Sequence, residues 1–372
     1  MKLCVDASHL IPGYTGGPEV HHIQILKQLA IRRPDFEITV MVSKEAERFG
    51  QLYQIPVREI RTGICARNKP IRFIRQQLEL PLLLNRLDAD VVWFPCFFAP
   101  PGVSHPAAVV IHDMRWLTDR DMFSWSASQI WRRFVPLSAQ RCQAVITVSE
   151  FSKNEIIRDC HVAAERVSVI PNGAGEHEAL ESPVEFDFPR YKINRPYLLT
   201  VAYTHRYKNL ARLILMFSKM NPMVPVQLVL AGGRGSQEEE IRDLAEASQG
   251  CVVKLGQVST DVMKALYRHA LGFVFPTLYE GFGMPILEAM RYQLPVACSD
   301  LPVLREVAGD AALYFDPLDE QSMAHAIMML SQDVGLRERL IAKGRQRVAA
   351  YSWGRCADQH AQLFLKLSQD RP

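Results

Sequence analysis

The chain has 372 residues, too many for one ordinary core when domains usually hold about 100 to 200, so two domains are expected. Hydrophobic residues make up 48% and charged residues 22%, with 20 Gly and 23 Pro, which excludes a disordered, collagen-like or low-complexity protein. A net charge of +3 provides no global field for gathering nucleic acid, so any anion binding has to be local. The eight cysteines contain no C-x-x-C pair and form no dense framework, which fits free thiols in a reducing cytoplasm. After Lys2 only Leu3, Cys4 and Val5 precede Asp6, so no signal-type apolar region opens the chain. No apolar run reaches the about 18 residues of a spanning helix, and the expected location is cytoplasmic, at most on the inner face of the cytoplasmic membrane.

Short β-branched runs alternate with amphipathic stretches, the pattern of parallel strands joined by crossover helices. In the first half, strands are expected at Lys2 to Asp6, Glu37 to Val42, Val91 to Phe94, Ala108 to His112, Ala144 to Val148 and Val167 to Ile170. Pro171-Asn172-Gly173 then breaks the pattern, and the acidic, Pro-containing stretch that follows lacks periodicity, which places a linker at 175–195. The alternation restarts at Tyr197 to Ala202 and continues through Val226 to Ala231, Val252 to Leu255, Phe273 to Phe275, Val296 to Ser299 and Leu313 to Phe315. Two doubly wound α/β domains of Rossmann-like type are therefore expected, at 1–174 and 196–350. The remaining segment, 351–372, reads as a helix that packs back on the first domain. Ligands of such sheets bind outside the carboxyl ends of the strands, which directs attention to the strand-to-helix loops and to a cleft between the domains.

Two of these loops suit a phosphate. The first follows Asp6 and carries Gly13, Gly16 and Gly17 before Pro18, so backbone amides and a helix N-terminus are bared together; a plain glycine turn is the alternative. It lacks the G-x-G-x-x-G spacing of a nicotinamide site. The second follows the strand ending at Phe275 and runs Glu280-Gly281-Phe282-Gly283-Met284-Pro285, with Glu288 eight residues after Glu280. Carboxylates repel phosphate, so the natural partners of Glu280 and Glu288 are sugar and ribose hydroxyls. Two polyols joined by a diphosphate describe a nucleotide sugar.

This second segment resembles the E-x7-E motif of retaining GT-B glycosyltransferases of glycosyltransferase family 4. The resemblance extends over nearly the whole chain through the Gly16-Gly17 loop, Ser149-Glu150-Phe151-Ser152, Pro171-Asn172-Gly173, Lys208-Asn209-Leu210 and Ala231-Gly232-Gly233. It implies a GT-B fold, with two Rossmann-like domains facing across a cleft. It also implies transfer of a sugar from a nucleoside diphosphate to an acceptor hydroxyl with retention of anomeric configuration. Gly16, Gly17, Gly281, Phe282, Gly283, Met284, Pro285 and Glu288 would bind the donor, and the loop Gly256 to Thr260 would line its base. Lys208 and then Arg206 are the candidate cations for the diphosphate, Glu280 orients the sugar, and His112 lies near sugar and acceptor. Similarity to bacterial polysaccharide mannosyltransferases favours GDP-mannose, with a UDP-sugar as the other donor. The implied acceptor is a glycan or a polyprenyl-diphosphate-linked sugar in surface polysaccharide assembly.

Cleaving a sugar–diphosphate bond places negative charge on the leaving oxygens, which needs cations or amides aimed at them. No compact His/Cys/Asp cluster has ligand spacing, so no metal and no cofactor beyond the donor substrate is expected. Asp113 could either fix the His112 tautomer or cap the next segment. Seven basic residues against two acidic ones between Arg58 and Arg86, together with Trp125 to Phe134, suggest a basic helix that meets an anionic membrane or a lipid-linked acceptor; an ordinary solvated helix is the alternative. Two other functions fit the architecture less well: a non-catalytic two-lobed sugar-binding protein, for which Lys208 beside a glycine loop is surplus, and a GT-B nucleotide-sugar epimerase.

Overall fold

The computed structural model describes residues 1–13, 16–118, 125–175, 186–194, 196–220 and 225–369, residue 126 by its backbone only. The chain divides into two compact units, Met1–Gly173 together with Ser352–Pro372, and Ala174–Tyr351.

The N-terminal unit runs β1 (Lys2–Ala7), α1 (Gly17–Arg32), β2 (Glu37–Val42), α2 (Phe49–Tyr53), β3 (Arg58–Arg61), α3 (Lys69–Leu84), β4 (Val91–Phe94), β5 (Ala107–Val110), α4 (Arg115–Thr118), α5 (Trp125–Arg141), β6 (Ala144–Thr147), α6 (Glu150–Cys160) and β7 (Val167–Val169). Its strands form one parallel sheet in the order β3-β2-β1-β4-β5-β6-β7. The central strands are buried on both faces, as their unbroken apolar runs require. Arg58–Arg61 corrects the sequence reading of a basic helix there: the segment is the edge strand β3, whose four residues are partly or fully exposed and therefore show no apolar alternation.

The second unit continues with β8 (Tyr197–Val201), α7 (Leu210–Met220), β9 (Gln227–Ala231), α8 (Glu238–Ala247), β10 (Val252–Gly256), α9 (Thr260–His269), β11 (Gly272–Phe275), α10 (Met284–Arg291), β12 (Val296–Ser299), α11 (Pro302–Ala308), β13 (Ala312–Phe315), α12 (Glu320–Gln332) and α13 (Val334–Val348). Its parallel sheet is ordered β10-β9-β8-β11-β12-β13. In both sheets the strand order reverses beside the first strand, at β1/β4 and at β8/β11. These are the switch points at which loops diverge to opposite faces and leave room for a ligand.

Part of the supposed linker is packed structure. Phe186 and Phe188 meet edge to face at 4.6 Å, Phe188 lies against His269, and Ile193 is buried. The buried Gln227 side chain donates to the Lys192 carbonyl and accepts from the Asn194 amide. Aromatic residues at 186, 188 and 191 carry no helical or strand period, which is why their packing leaves no pattern along the chain. The first part of the linker reading, residues 176–185, lies outside the described residues.

The final helix, α14 (Trp353–Gln369), belongs to the N-terminal unit and packs along α1. Arg32 Nε donates to Asp358 Oδ1 at 2.8 Å. Gly173 lies so close to Trp353 that a Cβ there would come within 2.3 Å of its backbone nitrogen, so the glycine of Pro171-Asn172-Gly173 is a packing requirement. Among the described residues no helix is long and apolar enough to cross a membrane.

Beneath α14 lies a group of buried imidazoles. His360 faces His21 at 5.6 Å and Trp93 at 5.5 Å between ring centroids, and His22 faces Trp93 at 5.4 Å. Burial holds His21 and His360 down to about 3 and His22 well below its ordinary value, with neighbouring histidines adding to the effect. Burial likewise holds His9 down to about 3, with the charge of Arg72 adding to the effect. Between pH 6.5 and 3 the unfolded chain therefore binds protons that the folded chain refuses. Stability is complete above about 6.5 and falls on acidification by about 1.4 kcal/mol per pH unit for each such histidine. The urea midpoint should drop between pH 7 and pH 5, and the drop should be smaller in His360→Phe; equal drops would remove His360 from the titrating set.

Candidate active site

The switch point of the second unit is built from the loops after β8 and β11. They are tied together by the Leu278 amide donating to the Tyr207 carbonyl at 2.7 Å and by the Thr277 hydroxyl donating to the same carbonyl at 3.2 Å. After β8 the chain makes a 3-10 turn at Arg206–Lys208 and ends it on Asn209, whose left-handed backbone at φ 58° suits asparagine. The Asn209 side chain locks that conformation by donating to the Pro317 carbonyl at 2.8 Å. This turn leaves Arg206 exposed and directs Lys208 inward.

Lys208 Nζ donates to Glu280 Oε1 at 2.5 Å, with 10% and 13% of the two side chains exposed. The ammonium also lies 5.0 Å from the Phe275 ring centroid and 4.8 Å from that of Tyr207. Two residues singled out separately in the sequence, 72 positions apart, are thus one ion pair at the carboxyl ends of neighbouring strands. The pair as a whole is neutral, and the aromatic floor and the carboxylate fix where its ammonium end stands.

The adjacent glycines of Ala231-Gly232-Gly233 serve backbone approach. A Cβ on Gly232, at φ 137°, would come within 2.1 Å of the Ala202 carbonyl oxygen. Glu238, at the start of α8, pins the same loop from beneath by accepting from the Thr204 hydroxyl and from Lys254 Nζ. Burial raises its carboxyl, but these partners carry it below the usual range.

The loop after β11 enters α10 through Gly283, an N-cap at φ 97° with no side-chain cap; a Cβ there would press on Leu304. Met284 and Pro285 form the first turn and are half-buried. The Phe282 side chain is 5% exposed and packs edge-on against Tyr351. Gly281 is likewise buried.

Glu288, one turn further along α10, does not join Glu280. Its Oε2 accepts from the Tyr267 hydroxyl of α9 at 3.0 Å, and Tyr267 stacks on Tyr292 at 5.1 Å. Burial raises the Glu288 carboxyl above its ordinary value, and the Tyr267 hydrogen bond opposes that shift. Sequence reasoning missed Tyr267, because its position in α9 reads as a core aromatic until the tertiary fold brings α10 beside it. In the loop after β10, Gly256 adopts φ 71° and Ser259 caps α9 by accepting from the Val262 amide.

In the N-terminal unit, Gly16 is the N-cap of α1 at φ 69°, with Gly17 and Pro18 in the first turn. The Glu19 carboxylate already accepts from the Gly13 amide and from the Tyr53 hydroxyl, each at 2.8 Å, so negative charge is present at this helix start. His112 follows β5 with Nε2 3.3 Å from the Pro95 carbonyl and its ring edge-on to His21 at 4.8 Å. A carbonyl only accepts, so Nε2 carries the proton and Nδ1 is left as an acceptor. Burial holds the ring near pKa 4, with the Pro95 contact opposing, which keeps it neutral at physiological pH. Asp113 caps: its Oδ1 accepts from the Arg115 amide at 3.1 Å. Ser149, in the segment Ser149-Glu150-Phe151-Ser152, caps α6.

The metal-free expectation has to reckon with two D-x-D triplets, Asp88-Ala89-Asp90 and Asp119-Arg120-Asp121. The first precedes β4, at the end of the sheet opposite the switch point. Asp90 accepts from the Lys2 amide at 2.8 Å and Asp88 pairs with the Lys2 ammonium. The second lies outside the described residues. Among the described residues no group of three or more His, Cys, Asp or Glu side chains is arranged to hold a metal ion.

Two family models cover most of the chain. Residues 184–347 match glycosyl transferases group 1, and residues 15–175 match Glycosyltransferase Family 4. The chain belongs to this glycosyltransferase family and is a glycosyltransferase of the GT-B fold. It is 28% identical to the O-antigen chain mannosyltransferase B of Escherichia coli over 363 residues, covering 91% of this chain and 93% of that one. It is 32% identical over 229 residues to the O-antigen chain mannosyltransferase RfbU of Salmonella typhimurium, covering 60% of each. Among solved structures it is similar to sucrose-phosphate synthase from Thermosynechococcus elongatus, with TM-score 0.75, 18% identity and 99% of both chains covered. The Anabaena HepE complex with UDP and glucose matches with TM-score 0.75 at 17% identity, over 98% of this chain and 100% of that one.

Removing one member of the Lys208–Glu280 pair strands the other. Lys208→Met and Glu280→Gln should each destabilise by about 1–3 kcal/mol, and the double variant should fall short of their sum by about 1 kcal/mol or more. Urea unfolding of the four proteins measures the coupling; strict additivity would mean that the pair contributes nothing. Tyr267→Phe should raise the Glu288 carboxyl further, read by carbon-13 NMR of the labelled carboxyl against pH.

Proposed function

We infer that the protein transfers a hexose, mannose from GDP-mannose in the first instance, to a hydroxyl of a glycan or lipid-linked acceptor in surface polysaccharide synthesis, with retention at the anomeric carbon. The observation that carries this reading is the Lys208 ammonium fixed by Glu280 at the β8/β11 switch point, beside the uncapped N-terminus of α10. An anion there meets a side-chain cation and helix amides together. The choice of mannose rests on the mannosyltransferase relatives, and a UDP-sugar is the competing donor because a solved structural neighbour holds UDP and glucose.

On this reading the diphosphate lies against Lys208 and the α10 amides, with Arg206 at the exposed rim. Glu288, oriented by Tyr267, accepts hydrogen bonds from ribose hydroxyls. Glu280 accepts from a sugar hydroxyl while retaining its hold on Lys208, so one carboxylate sets both the sugar and the cation. The bond from the anomeric carbon to the phosphate oxygen breaks with its electron pair passing to the diphosphate. The acceptor oxygen attacks from the same face, and its proton passes to the departing oxygen, which balances the step without an enzymic nucleophile. His112 in the N-terminal unit offers a neutral Nδ1 to a hydroxyl. The reading assigns no metal to the step.

Thermal-shift titration with GDP, UDP and ADP distinguishes the donor, because a ligand of the folded state raises its stability by mass action. GDP is expected to give the largest shift, GDP-mannose to turn over, and activity to survive EDTA. Lys208→Met should lower kcat by about 10²-fold, the scale of losing one leaving-group stabiliser. A variant at the wild-type rate, or activity abolished by EDTA and restored by Mg²⁺ or Mn²⁺, would overturn the assignment of Lys208.

A further inference from the structure

The loop after β8 carries aromatic rings at alternate positions, Tyr203, His205 and Tyr207. His205 has extended backbone, at φ -88° and ψ 149°, which carries the odd-numbered side chains to one side and Thr204 to the other. Thr204 is buried: its hydroxyl donates to Glu238 and accepts from the Gly235 amide at 2.7 Å. On the other side the three rings stand nearly parallel. Tyr203 and His205 lie 6.2 Å apart between centroids with their planes 26° apart, and His205 and Tyr207 lie 5.9 Å apart at 19°. Each ring is held in place. Lys208 Nζ sits 4.8 Å from the Tyr207 centroid, the Ser236 amide donates to His205 Nδ1 at 3.3 Å, and a Cβ on Gly233 would come within 2.3 Å of Tyr203 Cε1. Exposure rises along the row, from the buried Lys208 through the half-buried Tyr207 and His205 to Tyr203, which is 40% exposed.

A lone exposed tyrosine needs no explanation, but one aligned with two further rings beside a buried ion pair is a preformed aromatic surface. A pyranose ring matches it: one face of the sugar presents C–H groups to the electron-rich face of an aromatic ring, while the hydroxyls at its rim stay hydrogen-bonded. A nucleobase also stacks, but on the sugar-transfer reading the ribose goes to Glu288 of α10 and the base to the loop after β10, two strands from β8. The transferred sugar is held at Glu280, against Lys208, so a ring on Tyr203 lies two ring spacings further out, where the receiving sugar meets it. We propose that Tyr203, backed by His205 and Tyr207, is a stacking platform for a pyranose ring of the acceptor. The proposal rests on the sugar-transfer reading for the side of the reaction it serves. It makes Tyr203 a residue that binds and selects the acceptor, and it leaves donor binding to Lys208, Glu280 and Glu288.

Saturation-transfer NMR titration with methyl α-mannobioside, with GDP present and absent, tests the platform beside thermal-shift titration with GDP, UDP and ADP. The wild type should bind the mannobioside. Tyr203→Ala, at an exposed position, should weaken that binding about tenfold or more while its circular-dichroism melt and its nucleotide shift match the wild type. Tyr203→Phe keeps the ring and should bind as the wild type does. During turnover the loss in Tyr203→Ala should appear in the acceptor KM and not in the donor KM. A wild type that ignores the mannobioside, or a Tyr203→Ala variant that binds it equally, overturns the proposal. A variant whose nucleotide shift falls instead assigns the rings to the donor and also overturns it. Mannobioside binding that Tyr203→Ala removes, in a protein stabilised by none of the three nucleotides, supports the platform as a sugar-binding surface and overturns the transfer reading.

Discussion

A cation held at the carboxyl edge of a parallel sheet needs a counter-charge, and the Lys208–Glu280 pair supplies one to the second unit. With so little of either side chain exposed, neither charge could stand there alone. The demand propagates outward. Asn209 has to take a left-handed turn for the lysine to point inward, the loop after β11 has to be held to Tyr207, and Gly232 has to let the next loop abut Ala202. The glycines, asparagine and threonines of these loops are in this way the scaffolding of that one pair.

The N-terminal unit works by a different economy. Its interior carries neutral imidazoles in place of ions, and the final helix closes over them through His360 and Trp353. His112 stands at the edge of this group, backed by His21 and held by Pro95, so its tautomer follows from packing. The price is sensitivity to acid, because a low dielectric that tolerates neutral rings does not tolerate imidazolium. Asn172 and Gly173, which in the sequence mark a break in the alternation and part of the family resemblance, pack against the elements of the N-terminal unit: Asn172 Oδ1 lies 2.7 Å from His21 Nδ1, and Gly173 lies against Trp353.

Burial also decides which charges remain available. The arginines of α3 attracted attention as part of a basic patch, yet carbonyl groups and Glu79 engage both of them, and the same helix exposes aliphatic residues. Counting charges along a sequence treats each as solvated; the fold assigns some of them to internal carbonyls that no local pattern reveals.

The alternation of apolar runs and amphipathic stretches determined two parallel sheets, because parallel strands buried on both faces read as continuous β-branched segments. Glycine and proline at the loops after β1 and β11 likewise marked helix starts, since left-handed N-caps at Gly16 and Gly283 leave few other residues possible. The short polar strand β3 and the aromatic packing of residues 186–194 escaped, one for want of a buried face and the other for want of a period. Only the tertiary structure decided the partnerships of Lys208 with Glu280 and of Glu288 with Tyr267 rather than with the other acid of its motif. These depend on strand order, and strand order is set by which crossover lies beside which, a long-range outcome that spacing along the chain does not encode.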